Sequence, residues 1–230
     1  FKGKSGMGLR GDAILSFDYC ISKIMHTLDS LKIADNTLII LTSDNGPVID
    51  DGYKDQAVEL LGNHTPSGKF RGGKDSACEG GTRVPFLVWW KNGIKKSFTS
   101  DRLISQVDLI ASLASLAGGK IEPAAAPDSR DFSKLLTGKG KKGRKYLIEH
   151  NQGNTLSVIT TKNLKYIEPS NQPAYNSYTN TELGNAPIDQ LYNLNNDAGE
   201  KNNLAFQKPS TTKKLKKTLE REKQKGYLQK

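Results

Sequence analysis

The 230-residue chain carries 34 Lys+Arg against 24 Asp+Glu, a net charge of +10, with 35% hydrophobic and 25% charged residues. This is a globular composition, which sets aside the disordered and collagen-like classes. The longest apolar runs, around Leu38–Leu41 and Val84–Trp90, fall well short of the roughly 20 residues a membrane helix needs, so no membrane span is expected.

In chain order, Leu15, Phe17, Ile21, Ile24, Met25, Leu28 and Leu31 recur at three- and four-residue steps and predict one long amphipathic helix over Asp12–Lys32. Thr37–Thr42 follows, apolar through its middle, as expected of a strand covered on both faces. A helix feeding such a strand suggests an α/β layer with parallel strands. Val48–Phe70 is long and polar with Gly52, Gly62, Pro66 and Gly68, the composition of a functional loop. Arg83–Trp90 predicts a second buried strand, and Ser105–Ala117 a helix capped by Asp108 and closed by Gly118-Gly119.

After Leu136 the composition shifts to glycines among lysines, which places a boundary near residue 140 and divides the chain into 1–140 and 141–230. Strand-like pieces at Tyr146–Glu149, Leu156–Thr160, Leu164–Glu168 and Leu191–Leu194 then predict a small antiparallel sheet with one helix against it. The last thirty residues hold ten Lys+Arg against two acids, so most of the basic excess sits in that helix. Leu215 and Leu219, four apart, suit a helix whose lysines form its solvated face, and no aromatic residues interleave for base stacking. Cys20 and Cys78 lack any Cys or His partner at metal-ligand spacing and read as structural.

Two segments carry candidate chemistry. Ser43-Asp44-Asn45-Gly46 comes directly after the first strand, where α/β sheets collect ligands, and Asp44 with Asn45 offers hard oxygen donors suited to calcium or magnesium. Taken alone, the same tetrapeptide also reads as a turn with no ion. Arg71-Gly72-Gly73-Lys74 sets a cation among glycines, so that a charged oxygen group can approach the Lys74 ammonium closely. His64, in the loop before it, is a candidate proton donor or substrate contact.

Leu41-Thr42-Ser43-Asp44-Asn45-Gly46-Pro47, followed by Arg71-Gly72-Gly73-Lys74 and Glu79-Gly80-Gly81-x-Arg83-Val84-Pro85, resembles the C-terminal half of the type I, formylglycine-dependent sulfatases. Gly11-Asp12 with Asp18, Asp108, Leu135-Leu136-Thr137-Gly138, and Gln190-Leu191-Tyr192 with Asp197, Glu200, Asn203 and Leu204 match that family in the same order, so the likeness covers most of the chain.

The resemblance implies an α/β fold of the alkaline-phosphatase type, here the C-terminal part of its sandwich, plus a small α+β subdomain with an antiparallel sheet and a C-terminal helix. It implies a sulfuric ester hydrolase acting on a sulfated glycan or an aryl sulfate. Asp44 and Asn45 carry over as ligands of a calcium ion, with magnesium as the other divalent candidate. Lys74 carries over as the lysine that reaches a sulfate oxygen. His64 becomes a contact to substrate or leaving group, and His150 a weaker candidate for substrate binding. Asp12, Asp18, Arg71, Glu79, Arg83 and Asp108 read as structural.

Neither cysteine lies in the Cys/Ser-x-Pro/Ala-x-Arg context from which the family makes its formylglycine nucleophile. The expectation is therefore a C-terminal fragment, inactive alone, whose partner is the N-terminal half that supplies the nucleophile and the remaining calcium ligands. By the same resemblance the intact enzyme is periplasmic, lipid-anchored or extracellular. Two other readings stay open: a phosphate or phosphonate ester hydrolase of the same superfamily, and a non-catalytic binding module working through its basic tail.

Overall fold

A computed structural model describes residues 1–228, and side chains through residue 226. In chain order the elements are α1 (Gly8–Ser30), β1 (Ile39–Thr42), α2 (Glu79–Thr82), β2 (Phe86–Trp89), α3 (Leu109–Leu116), α4 (Ser133–Leu136), β3 (Tyr146–His150), β4 (Leu156–Thr160), β5 (Leu164–Ile167), β6 (Gln190–Asn193) and α5 (Pro209–Leu228). The last two residues of the expected 141–230 subdomain lie outside the described residues.

β1 and β2 form a two-stranded sheet, paired antiparallel with Ile39 opposite Trp89 and Thr42 opposite Phe86. The expected parallel arrangement is therefore corrected. A parallel pair needs a crossover, usually a helix packed on the sheet face. Here the connection runs through loops and the one-turn α2 and re-enters at the same end of the pair, where Thr42 faces Phe86. The full covering expected of these strands is also absent among the described residues: β1 is half-buried along its length and Leu87 of β2 is 59% exposed. On α1 only Asp12 is buried, accepting the Gly3 and Ser5 backbone N–H groups at 2.6 and 2.9 Å, while Ile14, Phe17 and Ile24 are exposed.

α3 is entered through a 3-10 turn, Gln106–Asp108. Asp108 stands at the N-cap position of α3 but makes no side-chain cap bond to it; its carboxylate serves the capping box of the 3-10 turn, accepting the N–H of Ser105, the cap of that turn, at 2.9 Å. The same carboxylate takes the Arg130 N–H at 3.0 Å and Arg144 Nε at 2.8 Å, a structural hub that ties α3 to the segments on either side of α4.

The core lies in the four-stranded sheet, a fully antiparallel meander in the order β3-β4-β5-β6. Asn154 and Asn163, with φ of 60° and 55°, make its first two tight turns, a left-handed conformation that asparagine tolerates better than most residues. Strand alternation gives this sheet two buried faces. Val158, Tyr166 and Leu191 pack against Leu215 and Leu219 of α5. Ile159, Ile167 and Tyr192 pack on the other side against Ala77 and Cys78, in the loop just before α2. The sheet is thus clamped between a helix and the loop that follows Lys74.

Candidate active site

The segment after β1 is fixed by backbone contacts and by the Ser43 hydroxyl, which donates to the Asn45 carbonyl at 3.0 Å. The Gly46 N–H donates to the Gly81 carbonyl at 2.9 Å, and the Lys74 N–H donates to the Pro47 carbonyl at 2.8 Å. A β-carbon on Gly46 would collide with the Gly80 carbonyl, so only glycine allows this approach. The Gln106 amide braces the same strand end by donating to Thr42 Oγ1 at 3.2 Å and to the Ser43 carbonyl. These contacts bring Asp44, Asn45 and Lys74, thirty residues apart in sequence, into neighbouring turns at one end of β1.

The Lys74 loop closes on itself. The Gly80 N–H reaches the Arg71 carbonyl at 2.8 Å, Ser76 N–H the Gly73 carbonyl at 3.0 Å, and Gly81 N–H the Cys78 carbonyl at 2.9 Å. Arg71 anchors it from outside: its guanidinium forks onto Glu182 and reaches the Glu200 carbonyl at 2.8 Å and Tyr192 Oη at 3.2 Å. The Glu182 hydrogen bonds, set against partial burial, raise the Arg71 pKa further, so this anchor stays charged. Asp44 and Lys74 themselves are exposed, as chemistry on an incoming ligand requires.

Asn45 is the informative residue for a metal. Its Oδ1 is buried and has no hydrogen-bond partner among the described residues, an unmet acceptor that a cation would satisfy. Asp44 beside it adds a carboxylate, approached by Ser43 Oγ at 3.4 Å. Among the described residues no cluster of three or more His, Cys, Asp or Glu could hold an ion. This chain therefore fits a hard divalent cation as the source of two oxygen ligands, and calcium takes six to eight.

His64 is exposed in the turn before Lys74, in a loop joined to it where Ser67 Oγ donates to the Gly72 carbonyl at 3.0 Å. His150 is exposed at the end of β3, with Nδ1 3.0 Å from the Asn151 carbonyl. Its turn reaches the site: Gln152 N–H donates to the carbonyl of Asp75, next to Lys74, at 3.1 Å. Asn176 Nδ2 ties Asp75 Oδ2 to Gln152 Oε1 at 3.2 and 3.1 Å. Asp75, with φ of +73°, is held left-handed by these contacts.

Sequence reasoning missed Gln106, Asn176 and Lys165, and found Glu200 only as a family match with no partner assigned. Lys165 is fully buried on the loop-facing side of β5, paired to Glu79 at 2.9 Å and to Glu149 at 3.2 Å. Its signal was available, since a lysine two residues before Ile167 shares that residue's inward face. Glu200 is equally buried, and its Oε2 accepts the Glu79 N–H at 2.8 Å. Nothing in a one-dimensional pattern joins it to residue 79.

The comparisons agree on what this chain is similar to. The family model described as Sulfatase matches residues 2–119. An N-acetylgalactosamine-6-O-sulfatase of Bacteroides thetaiotaomicron is 50% identical over 220 residues, covering 96% of this chain and 43% of that protein. Human arylsulfatase A is 30% identical over 217 residues, covering 89% of this chain and 40% of that one. A solved structure described under metabolism of multiple glycosaminoglycans by Bacteroides thetaiotaomicron superposes with a TM-score of 0.93 at 50% identity, over 97% of this chain and 46% of that chain. A sulfatase from Pseudoalteromonas sp. shares the fold at a TM-score of 0.72 and 22% identity, over 92% of this chain and 42% of that one. The chain spans under half the length of these relatives.

Proposed function

The chain belongs to the sulfatase family, and on that premise we propose that it forms the Lys74 and Asp44-Asn45 side of a sulfuric ester hydrolase that removes sulfate from a sulfated glycan. The substrate class is a 6-O-sulfated N-acetylhexosamine, the chemistry named for the 50%-identical relative. One observation carries the reading above the others: the buried, partnerless Asn45 Oδ1 lies in a turn bonded by its own backbone to the loop of Lys74.

In this reading Asp44 and Asn45 hold a calcium ion, which when bound supplies a Lewis acid for the sulfate oxygens. The Lys74 ammonium takes a sulfate oxygen and offsets charge that grows there as the ester bond breaks. His64 sits on the sugar side and donates the proton that the leaving oxygen requires. His150 contacts the sugar from the β3 turn. The nucleophile, expected as a formylglycine hydrate, belongs to an N-terminal half that packs with these residues. A boundary near residue 140 and an exported location belong to the same proposal.

Paired hydrolysis of an aryl sulfate, an aryl phosphate and 6-O-sulfated N-acetylgalactosamine by the intact enzyme tests it, with Asp44→Ala assayed across calcium concentrations. The expected outcome is sulfate release, lost without calcium, and a calcium requirement raised about tenfold or more in the variant. Faster phosphate than sulfate release would move the assignment to the phosphoesterase reading. Salt-sensitive binding of heparin by the unaltered protein, with no hydrolysis, would move it to the binding module.

A further inference from the structure

Beneath the Lys74 loop lies a group of buried charges that the proposed chemistry does not use. Lys165 Nζ is fully buried and sits 2.9 Å from Glu79 Oε1 and 3.2 Å from Glu149 Oε2. Glu79 is 1% exposed and uses both oxygens: Oε1 on Lys165, and Oε2 on Arg83 at 2.6 to 2.7 Å. Its backbone N–H is taken by Glu200 Oε2, and the other Glu200 oxygen is buried with no partner among the described residues. Burying charges costs several kcal/mol per ion, and well-packed hydrocarbon of the same volume is often as stable. What the ions add is direction, because each hydrogen bond fixes an orientation that hydrocarbon contact leaves loose.

The orientation fixed here is that of α2, the turn that closes the Lys74 loop. Glu79 opens α2, and Gly80 and Gly81 inside it hold Arg71 and Gly46 by backbone hydrogen bonds. A continuous path therefore runs from β5 through Glu79 to the turn of Asp44-Asn45 and the loop of Lys74. We propose that Lys165 is a positioning residue: its ion pair with Glu79 fixes α2 on the small sheet, and so sets where the Lys74 ammonium meets the sulfate group. This rests on the reading of Lys74 given above.

The electrostatics agree with a permanently formed pair. Burial disfavours the charged forms of Glu79 and Lys165, but the facing charges outweigh it, lowering the Glu79 pKa and raising that of Lys165. Glu200 faces Lys165, Glu79, Arg71, Cys78 and Tyr192, and its burial pushes the carboxyl up to about 7. Glu149 and Glu79 are the two carboxylates that face Lys165 within ion-pair distance, and Glu79 is the nearer.

The test compares the intact enzyme with Lys165→Met, with Lys165→Met/Glu79→Gln, and with Val158→Ala, which loosens the opposite face of the sheet. Amide hydrogen exchange of residues 71–81 and aryl sulfate kinetics are read at a temperature where all are folded. Both Lys165 variants are expected to speed exchange across 71–81 and to lower kcat about tenfold or more with KM little changed, since a small misplacement of a catalytic group is costly. Val158→Ala is expected to lose stability with neither effect. If Lys165→Met does not fold, the double variant, which leaves no unpaired carboxylate at Glu79, decides. Folded Lys165 variants with unaltered exchange in 71–81 and unaltered kcat would overturn the proposal. If the unaltered enzyme releases no sulfate, the functional reading falls while the exchange data still settle whether Lys165 places the loop.

Discussion

The two faces of the small sheet hold the molecule together by different means. Against α5, Val158, Tyr166, Leu191, Leu215 and Leu219 make an apolar seam, and the ion pairs to α5, Lys216–Asp189 and Lys223–Glu168, are made by partly exposed side chains. Against the loop of Lys74, a smaller apolar patch around Ala77 and Cys78 surrounds Lys165, Glu79 and Glu200. Hydrocarbon contact is strong and nearly indifferent to direction, which suits a helix that only has to stay attached. Ionic contact is costly to bury and specific in direction, which suits a loop that has to be held in one orientation.

The largest expected effect asks whether the chemistry lies on the ionic side. Lys74→Ala in the intact enzyme should lower kcat by two or more orders of magnitude, as the loss of one charge-stabilising contact does elsewhere. Melting temperature should hardly change, since Lys74 is exposed; near-normal turnover would sink its assigned role.

Next, Leu219→Ala on the apolar side should cost about 2–5 kcal/mol of stability, the range for a fully buried leucine, with kcat retained at temperatures where the variant is folded. Urea unfolding beside steady-state kinetics measures both, and a kcat loss without a stability loss would erase the contrast between the faces.

Glu200 gives a pH signature of the ionic face. Its carboxyl is raised from about 4.5 to about 7, so the folded state binds the proton more tightly than the unfolded state does. The stabilisation is complete below pH 4.5, declines as pH rises toward 7, and is lost above it, about 3 kcal/mol in all. Glu200→Gln keeps an acceptor for the Glu79 N–H and cannot ionise. Urea unfolding at pH 5 and pH 8 should show this contribution to the pH dependence removed in the variant, and an unchanged slope would refute the assignment.

The smallest effect belongs to the outer side of α5. Lys217→Ala, at an exposed position, should shift stability by less than about 0.5 kcal/mol and leave turnover unchanged in the intact enzyme. A marked drop in activity on a long sulfated polymer, with none on an aryl sulfate, would show that α5 also meets substrate.

Much of this was legible in one dimension. Apolar alternation located β3 to β6 to within a residue or two, and the four-residue spacing of Leu215 and Leu219 found the buried side of α5. The motif residues Asp44, Asn45 and Lys74 were found by type and spacing, because small turns around a charge are visible in sequence. The direction of the β1-β2 pair was misread, since an apolar run carries no record of which way its neighbour runs. Full covering of β1 was also misread: an apolar run says that a strand seeks partners on both faces, not whether those partners lie among the described residues.

The sequence by itself determined the local elements, the family resemblance and the candidate groups for chemistry, because periodicity, turn preference and side-chain type act over a few residues. Tertiary structure alone decided that Asp44-Asn45 and Lys74 share one end of a sheet, and that Lys165 and Glu200 lie under them. Those contacts join residues 27 to 121 positions apart, and their strength comes from excluding water around charges, a property of the packed chain that no short segment possesses.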